Sequence, residues 1–153
     1  MSAVTIIINH AVIVGTVALD QFCKSIVSSE IGTSFLGIIS IKQIWNQGIS
    51  FGMFEKLDYG NNLFLVISSV VLAHLYPFAL KIREYSTLVA WSLILGGALS
   101  NVIDRVLHGA VLDFIDIHFG KYCFPIFNIA DMAIAFGALI LIWNSLLNIK
   151  RGR

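Results

Sequence analysis

Residues 59–80 read YGNNLFLVISSVVLAHLYPFAL, twenty-two consecutive positions without Asp, Glu, Lys or Arg. A helix needs roughly 20 apolar residues to cross about 30 Å of hydrocarbon. Inside lipid it must also satisfy every backbone polar group within itself. This stretch therefore predicts a transmembrane helix. Three more charge-free runs accompany it, 1–19, 85–103 and 132–149, of 19, 19 and 18 residues. The runs 31–41 and 43–54 are too short to span and are broken by Gly32, Gly37, Gly48 and Gly52. The expectation is an all-α membrane protein, a single domain over residues 1–153, with spans at about 4–20, 61–80, 86–104 and 128–148. The loops between them fall at about 21–60 and 105–127.

Composition agrees. Apolar residues make up 58% of the chain and charged residues 12%, against about 45–50% and about 25% in soluble domains. Mean hydropathy is +0.86. A net charge of +1 gives no electrostatic case for nucleic acid, so no such partner is expected. Cys23 and Cys123 make no disulfide framework, and no C-x-x-C pair suggests a metal. A cleaved leader would begin with basic residues; Met1-Ser2-Ala3 has none, so the first run is expected to remain as a span.

Basic residues set the orientation. Lys81 and Arg83 lie in the short loop between spans 2 and 3, and Lys150, Arg151 and Arg153 in the tail. Lys24, Lys42, Lys56, Arg105 and Lys121 are diluted over the two long loops and offset by acids. The positive-inside rule then places both termini in the cytoplasm. In the first loop, Ile38-Ile39-Ser40-Ile41-Lys42-Gln43-Ile44-Trp45 is β-branched and partly alternating. It predicts a small strand-containing structure on the outer surface, with Asn46-Gln47-Gly48 as a turn.

On this topology the polar residues sort to one depth. Asp20 ends span 1, Asn101 and Asp104 end span 3, Asp113 follows, and Asn128 and Asp131 begin span 4. All fall at the outer interface, where carboxylates are costly and mark function by default. Asn101 with Asp104, and Asn128 with Asp131, are each three apart and share a helix face. Gly96, Gly97, Ala98 and Ser100 let span 3 pack closely, as Ala130, Ala133, Ala135 and Gly137 do for span 4.

Plainer readings exist for each residue taken singly. Asp131 suits a helix N-terminus, Asp104 and Arg105 an interface ion pair, and Asp20 and Lys24 an ordinary i, i+4 pair. Asp116 reads as a solvated loop acid, and His10 and His74 as hydrogen-bonded residues inside the bundle. Among chemistries, zinc hydrolysis lacks its motif, and a serine with Lys24 stays open without a supporting element. An aspartic mechanism needs two carboxylates sharing a proton, for which Asp113 and Asp131 are the best pair. A small transporter would carry acids along the midplane or on both sides. Here the inner side has only Glu84.

Five blocks in order carry a family resemblance. Gly96-Gly97-Ala98-Leu99-Ser100-Asn101-Val102-Ile103-Asp104-Arg105 resembles the GGAxGNxxDR block of the lipoprotein signal peptidases (signal peptidase II). Gly109-Ala110-Val111-Leu112-Asp113-Phe114-Ile115-Asp116 resembles GxVxDFxD, and Phe127-Asn128-Ile129-Ala130-Asp131 resembles FNxAD. Leu19-Asp20-Gln21 with Lys24 resembles LDQxxK, and Asn46-Gln47-Gly48-Ile49-Ser50-Phe51-Gly52 resembles NxGxAFG. Ser100 stands where the family usually has Gly, and Ser50 where it usually has Ala.

The resemblance implies an aspartic endopeptidase of the bacterial inner membrane. It would cut diacylglyceryl-modified prolipoproteins just before the lipidated cysteine, with its site at the periplasmic face. It implies Asp113 and Asp131 as the catalytic pair. It further implies that Asp20, Lys24, Asn46, Gly97, Asn101, Asp104, Arg105 and Asn128 shape the site or bind substrate. A periplasmic β-cradle in the first loop, membrane lipids as partners, a monomer, no metal and no cofactor complete that expectation.

Overall fold

The structure, a computed structural model, describes residues 3–27, 34–35, 38–48, 60–120 and 122–150. Four long helices dominate: α1 (Ala3–Val27), α2 (Gly60–Ala79), α3 (Tyr85–His108) and α4 (Ile129–Lys150). All four are long and apolar enough to cross a membrane. Their outward faces carry exposed Val66, Val70, Phe136, Leu139 and Trp143, as lipid-facing helices do when the solvent is hydrocarbon.

The helix α3 is the hub, packing against α1, α2 and α4. Small residues make this possible. A Cβ on Gly96 would lie 2.8 Å from Thr16 Cβ, and one on Gly137 would meet the Ala90 carbonyl oxygen at 2.5 Å. Leu88, Ala90, Leu95, Ile13 and Ala79 fill the space between. Apolar attraction between helices is weak in lipid, so close van der Waals contact and buried polar pairs hold the bundle. Asn9 Nδ2 donates to Ser92 Oγ over 3.0 Å in its interior.

Two helices outrun the sequence expectation. α1 continues past residue 20 to Val27, and α3 past residue 104 to His108. The charges near those ends did not stop the helices because they neutralise one another between them, as described below. His10 is also placed differently from expectation. It is exposed, and its ring bonds the Ile6 carbonyl and Tyr76 hydroxyl, each at 2.8 Å, joining α1 to α2 at the bundle surface. His74 is likewise exposed.

The strands β1 (Ser34–Phe35), β2 (Ile39–Asn46), β3 (Val111–Phe119) and β4 (Tyr122–Cys123) form one antiparallel sheet in that order. The expected cradle is therefore shared: β1 and β2 come from the first loop, β3 and β4 from the second. At Gly48 the backbone N–H donates to Asn46 Oδ1 over 2.9 Å, the turn predicted at Asn46-Gln47-Gly48. Residues 49–59, including Ser50, lie outside the described residues.

Candidate active site

The site is assembled where α3 ends and α4 begins. Gly109 adopts φ 72°, and its N–H donates to the Arg105 carbonyl over 3.1 Å. A left-handed cap of this kind favours glycine. It turns the chain out of α3 into β3, which carries Asp113 beneath β2. Asp113 Oδ2 accepts from Asn46 Nδ2 at 2.9 Å, and Asp113 Oδ1 accepts from Asn128 Nδ2 at 2.7 Å.

Asn128 caps α4. Its Oδ1 accepts from the Asp131 N–H at 2.9 Å, and its own N–H donates back to Asp131 Oδ2 at 3.3 Å. This reciprocal arrangement is a capping box built from Asn and Asp. Asp131 Oδ1 accepts from Asn101 Nδ2 of α3 at 2.9 Å, and Asn101 Oδ1 accepts from Asn128 Nδ2 at 3.2 Å. Three amides thus hold two carboxylates, each amide donating to at least one of them.

Beneath this layer lies a buried charge cluster. Lys24 Nζ sits 2.6 Å from Asp20 Oδ2 and 2.6 Å from Asp104 Oδ2, with Asn101 Oδ1 at 3.4 Å. Asp20 is fully buried and Asp104 is 2% exposed. Buried pairs hold only when their remaining lone pairs are also satisfied, and here they are. Asp20 accepts from Ser100 Oγ at 2.7 Å and from the Ala130 N–H at 2.9 Å. Asp104 accepts from Gln21 Nε2 at 2.7 Å and from the Leu112 N–H at 3.1 Å.

Gly97 brings α3 onto α4. A Cβ there would overlap the Ala130 carbonyl oxygen and Ile134 Cγ1. The contact lies one helical turn from Asn101 and at the first turn of α4, so it sets the reach of Asn101 to Asp131.

Asp113 and Asp131 both line a cavity of about 260 Å³, together with Asn46, Gly48, Asn101, Arg105, Val111 and the α2 residues Phe64, Ile67 and Ser68. Arg105 is braced by the Gly48 and Asn101 carbonyls at 3.2 and 3.4 Å, and its buried Nε has no hydrogen-bond partner among the described residues. Asp131 also borders a second cavity of about 340 Å³, lined by Phe124, Phe127, Met132, Phe136 and Leu139. Burial pushes the Asp113 carboxyl up to about 6. The Asn46 and Asn128 amides pull it down, while the Asp131 charge adds to the rise. No group of three or more His, Cys, Asp or Glu suited to a metal occurs among the described residues.

The family model for signal peptidase (SPase) II matches residues 12–147. The chain belongs to the signal peptidase II family. It is 39% identical over 145 residues to the lipoprotein signal peptidase of Anaplasma phagocytophilum (strain HZ), covering 92% of this chain and 90% of that protein. It is 40% identical over 111 residues to the one of Rickettsia africae (strain ESF-5), covering 72% of this chain. That match takes in 54% of the Rickettsia protein, about half its length. Two solved bacterial membrane enzyme structures, at 2.3 and 1.9 Å resolution, share the fold. They match with TM-scores of 0.81 and 0.79, each at 34% identity, covering 95% and 90% of this chain and 91% and 92% of theirs. The chain is thus a multi-pass bacterial membrane protein of a protease family.

In this signal peptidase II chain, all ten residues singled out from sequence converge on one region of the fold. Several plainer readings change. Asp104 pairs with Lys24 rather than with Arg105. Asp20 and Lys24 do form an i, i+4 pair, but a buried one. Lys24 donates to carboxylates, and the Ser100 proton is directed to Asp20, so no serine–lysine couple forms between them. Asp116 is corrected outright: it is 3% exposed and paired with Lys42, because β3 carries it into the sheet beside β2, opposite Ser40, instead of into solvent. Sequence reasoning assigned no role to Gln21, which bonds both Asp104 and Ser100. It also missed Phe64 and Ile67, whose apolar side chains look like any lipid-facing pair.

Proposed function

We propose that Asp113 and Asp131 form an aspartic dyad that removes the signal peptide of diacylglyceryl-modified prolipoproteins, cutting just before the lipidated cysteine. The observation that carries this reading is that the two carboxylates come from separate elements, share the Asn128 clamp and face one cavity. Two carboxylates around one water hold a single proton, because they do not readily both ionise. The ionised member takes the water's proton as the oxygen attacks the scissile carbonyl. The protonated member passes its proton to the leaving amine. Arg105 supplies N–H donors to the substrate backbone and offsets the single negative charge of the dyad.

Lys24, Asp20, Asp104, Asn46, Asn101, Asn128 and Gly97 act in this proposal by holding the pair in place. The apolar cavity beside Asp131 suits a substrate that is itself embedded in lipid. Lipid attachment favours membrane binding by about 0.8 kcal/mol per buried CH₂, so the precursor is delivered by the bilayer. The basic 2–3 loop and tail support cytoplasmic termini, a single inner-membrane domain and a periplasmic site, and we read the enzyme as a monomer. The test is incubation of purified protein with diacylglyceryl-modified and unmodified precursor, followed by mass analysis. Cleavage of the modified form alone, immediately before the cysteine, is expected; equal cleavage of both removes the lipoprotein specificity.

A further inference from the structure

Strand β2 changes face partway along its length. Ile39, Ser40 and Ile41 stand opposite Ile117, Asp116 and Ile115, whereas Ile44, Trp45 and Asn46 stand opposite Asp113, Leu112 and Val111. Between the two stretches, Lys42 and Gln43 face Phe114 alone, so β2 carries a one-residue bulge. A one-residue slip turns every side chain to the other face of a sheet. Without the bulge, Asn46 would stand opposite Ala110 and point away from Asp113. With it, Asn46 lies diagonal to Asp113 on the same face and donates to it over 2.9 Å.

Both bulge residues are tied down. Gln43 Nε2 donates to the Val27 carbonyl at the end of α1 over 2.6 Å. Lys42 Nζ lies 2.5 Å from Asp116 Oδ2, and His118 Nδ1 is 3.7 Å from the same oxygen. Asp116 alternates with Asp113 along β3 and so occupies the opposite face of the sheet from the cavity. Exposed ion pairs contribute little. This one has a buried carboxylate, and removing its partner strands that charge.

We propose that Lys42 and Asp116 are a positioning pair that fixes the β2 bulge and thereby turns the Asn46 amide onto Asp113. The proposal rests on the reading of Asp113 as half of the dyad. Neither Lys42 nor Asp116 lines the cavity, so the pair acts only through the strand between them. The Asn46 amide opposes the upward push of burial on Asp113. A slack bulge therefore leaves Asp113 titrating higher.

The experiment measures kcat and KM against pH for full-length protein in detergent micelles, with diacylglyceryl-modified precursor as substrate. Lys42→Met/Asp116→Asn leaves no stranded charge; it should lower kcat about tenfold, with KM within about twofold of the parent. The limb governed by Asp113 should rise by about half a pH unit. Lys42→Arg should keep the parental profile. In an Asn46→Ala background the same double change should add nothing further, because the two act in series. Lys42→Gln, at a half-exposed side chain, repeats the test if Asp116→Asn proves unstable. A parental limb in the pair variants, or a shift that adds to that of Asn46→Ala, would overturn the proposal. An active Asp113→Asn variant would instead remove the dyad reading beneath it, and is scored separately.

Discussion

Asn128 donates to Asp113 over 2.7 Å while capping the helix that carries Asp131. One side chain therefore spaces a carboxylate on a strand against a carboxylate on a helix. A rotation of α4 moves the Asp113 clamp and the Asp131 carboxylate together, so the pair stays matched through small motions of the bundle.

Asp113→Asn and Asp131→Asn should each lower cleavage by at least about 10²-fold, the lower range for removing an acid–base group. An amide can neither take the water's proton nor return one. Both variants should insert and bind lipidated precursor like the parent, and their combination should be little worse than either alone. Turnover assays on equal amounts of folded protein check this. Substantial activity in either single variant would exclude the dyad.

The pH profile should carry the Asp113 ionisation near pH 6, well above the ordinary 3.8. Removing the Asn46 amide takes a hydrogen bond from the ionised form and raises this value further. Asn46→Ala should therefore move that limb of kcat/KM to higher pH, whichever limb of the profile it is. A limb near pH 4 in the parent, or a downward move in the variant, would contradict the site geometry.

Gly97→Ala and Gly137→Ala place a methyl group against a facing backbone, at two levels of the α3–α4 contact. Each should cost about 1–3 kcal/mol, the usual cost of overpacking. Only Gly97→Ala should also lower kcat strongly, since its level holds Asn101 to Asp131. Gly15→Ala, with nothing within 4 Å of the added Cβ, should leave both unchanged. Thermal unfolding in detergent, run beside turnover, separates the three.

Glu84 caps α3, accepting from the Ser86 and Thr87 N–H groups at 3.0 and 2.6 Å. Hydrogen bonds to Thr87 and Ser86 hold its carboxyl down to about 2, against an ordinary 4.5. A lowered value means that the cap stabilises fully above about pH 4.5 and is lost as pH falls toward 2. Glu84→Ala should cost about 1 kcal/mol at pH 7. The difference from the parent should vanish near pH 2, as read from unfolding midpoints across pH. A gap that persists at pH 2 would mean that the cap acts without its charge.

The helices were legible in the sequence because lipid leaves little other use for eighteen or more uncharged residues in a row. That Asp113 and Asp131 line one cavity was legible because they reach the same depth from different segments. Local pattern does not show which strands pair. Nothing in Ile39–Asn46 announces Val111–Phe119 as its partner, and so Asp116 read as solvated. The same holds for Lys24: its partner Asp20 is visible at i, i+4, whereas Asp104 becomes its partner only through the packing of α1 on α3. The wall supplied by Phe64 and Ile67 leaves no trace in a hydropathy profile, since their chemistry is that of the bilayer.

The bond from the Ala130 N–H to Asp20 joins α1 to the opening turn of α4. Ala130 and Asp20 are both fully buried, so without α1 the Ala130 N–H is left unpaired, and the start of α4 depends on α1 for its seating. A nascent chain that has made its first three helices holds Asp113 but lacks Asp131. If Asp113 and Asp131 act together as proposed, hydrolysis waits for α4 to dock on α1. On that reading, the order of synthesis keeps the site silent until α4 is in place.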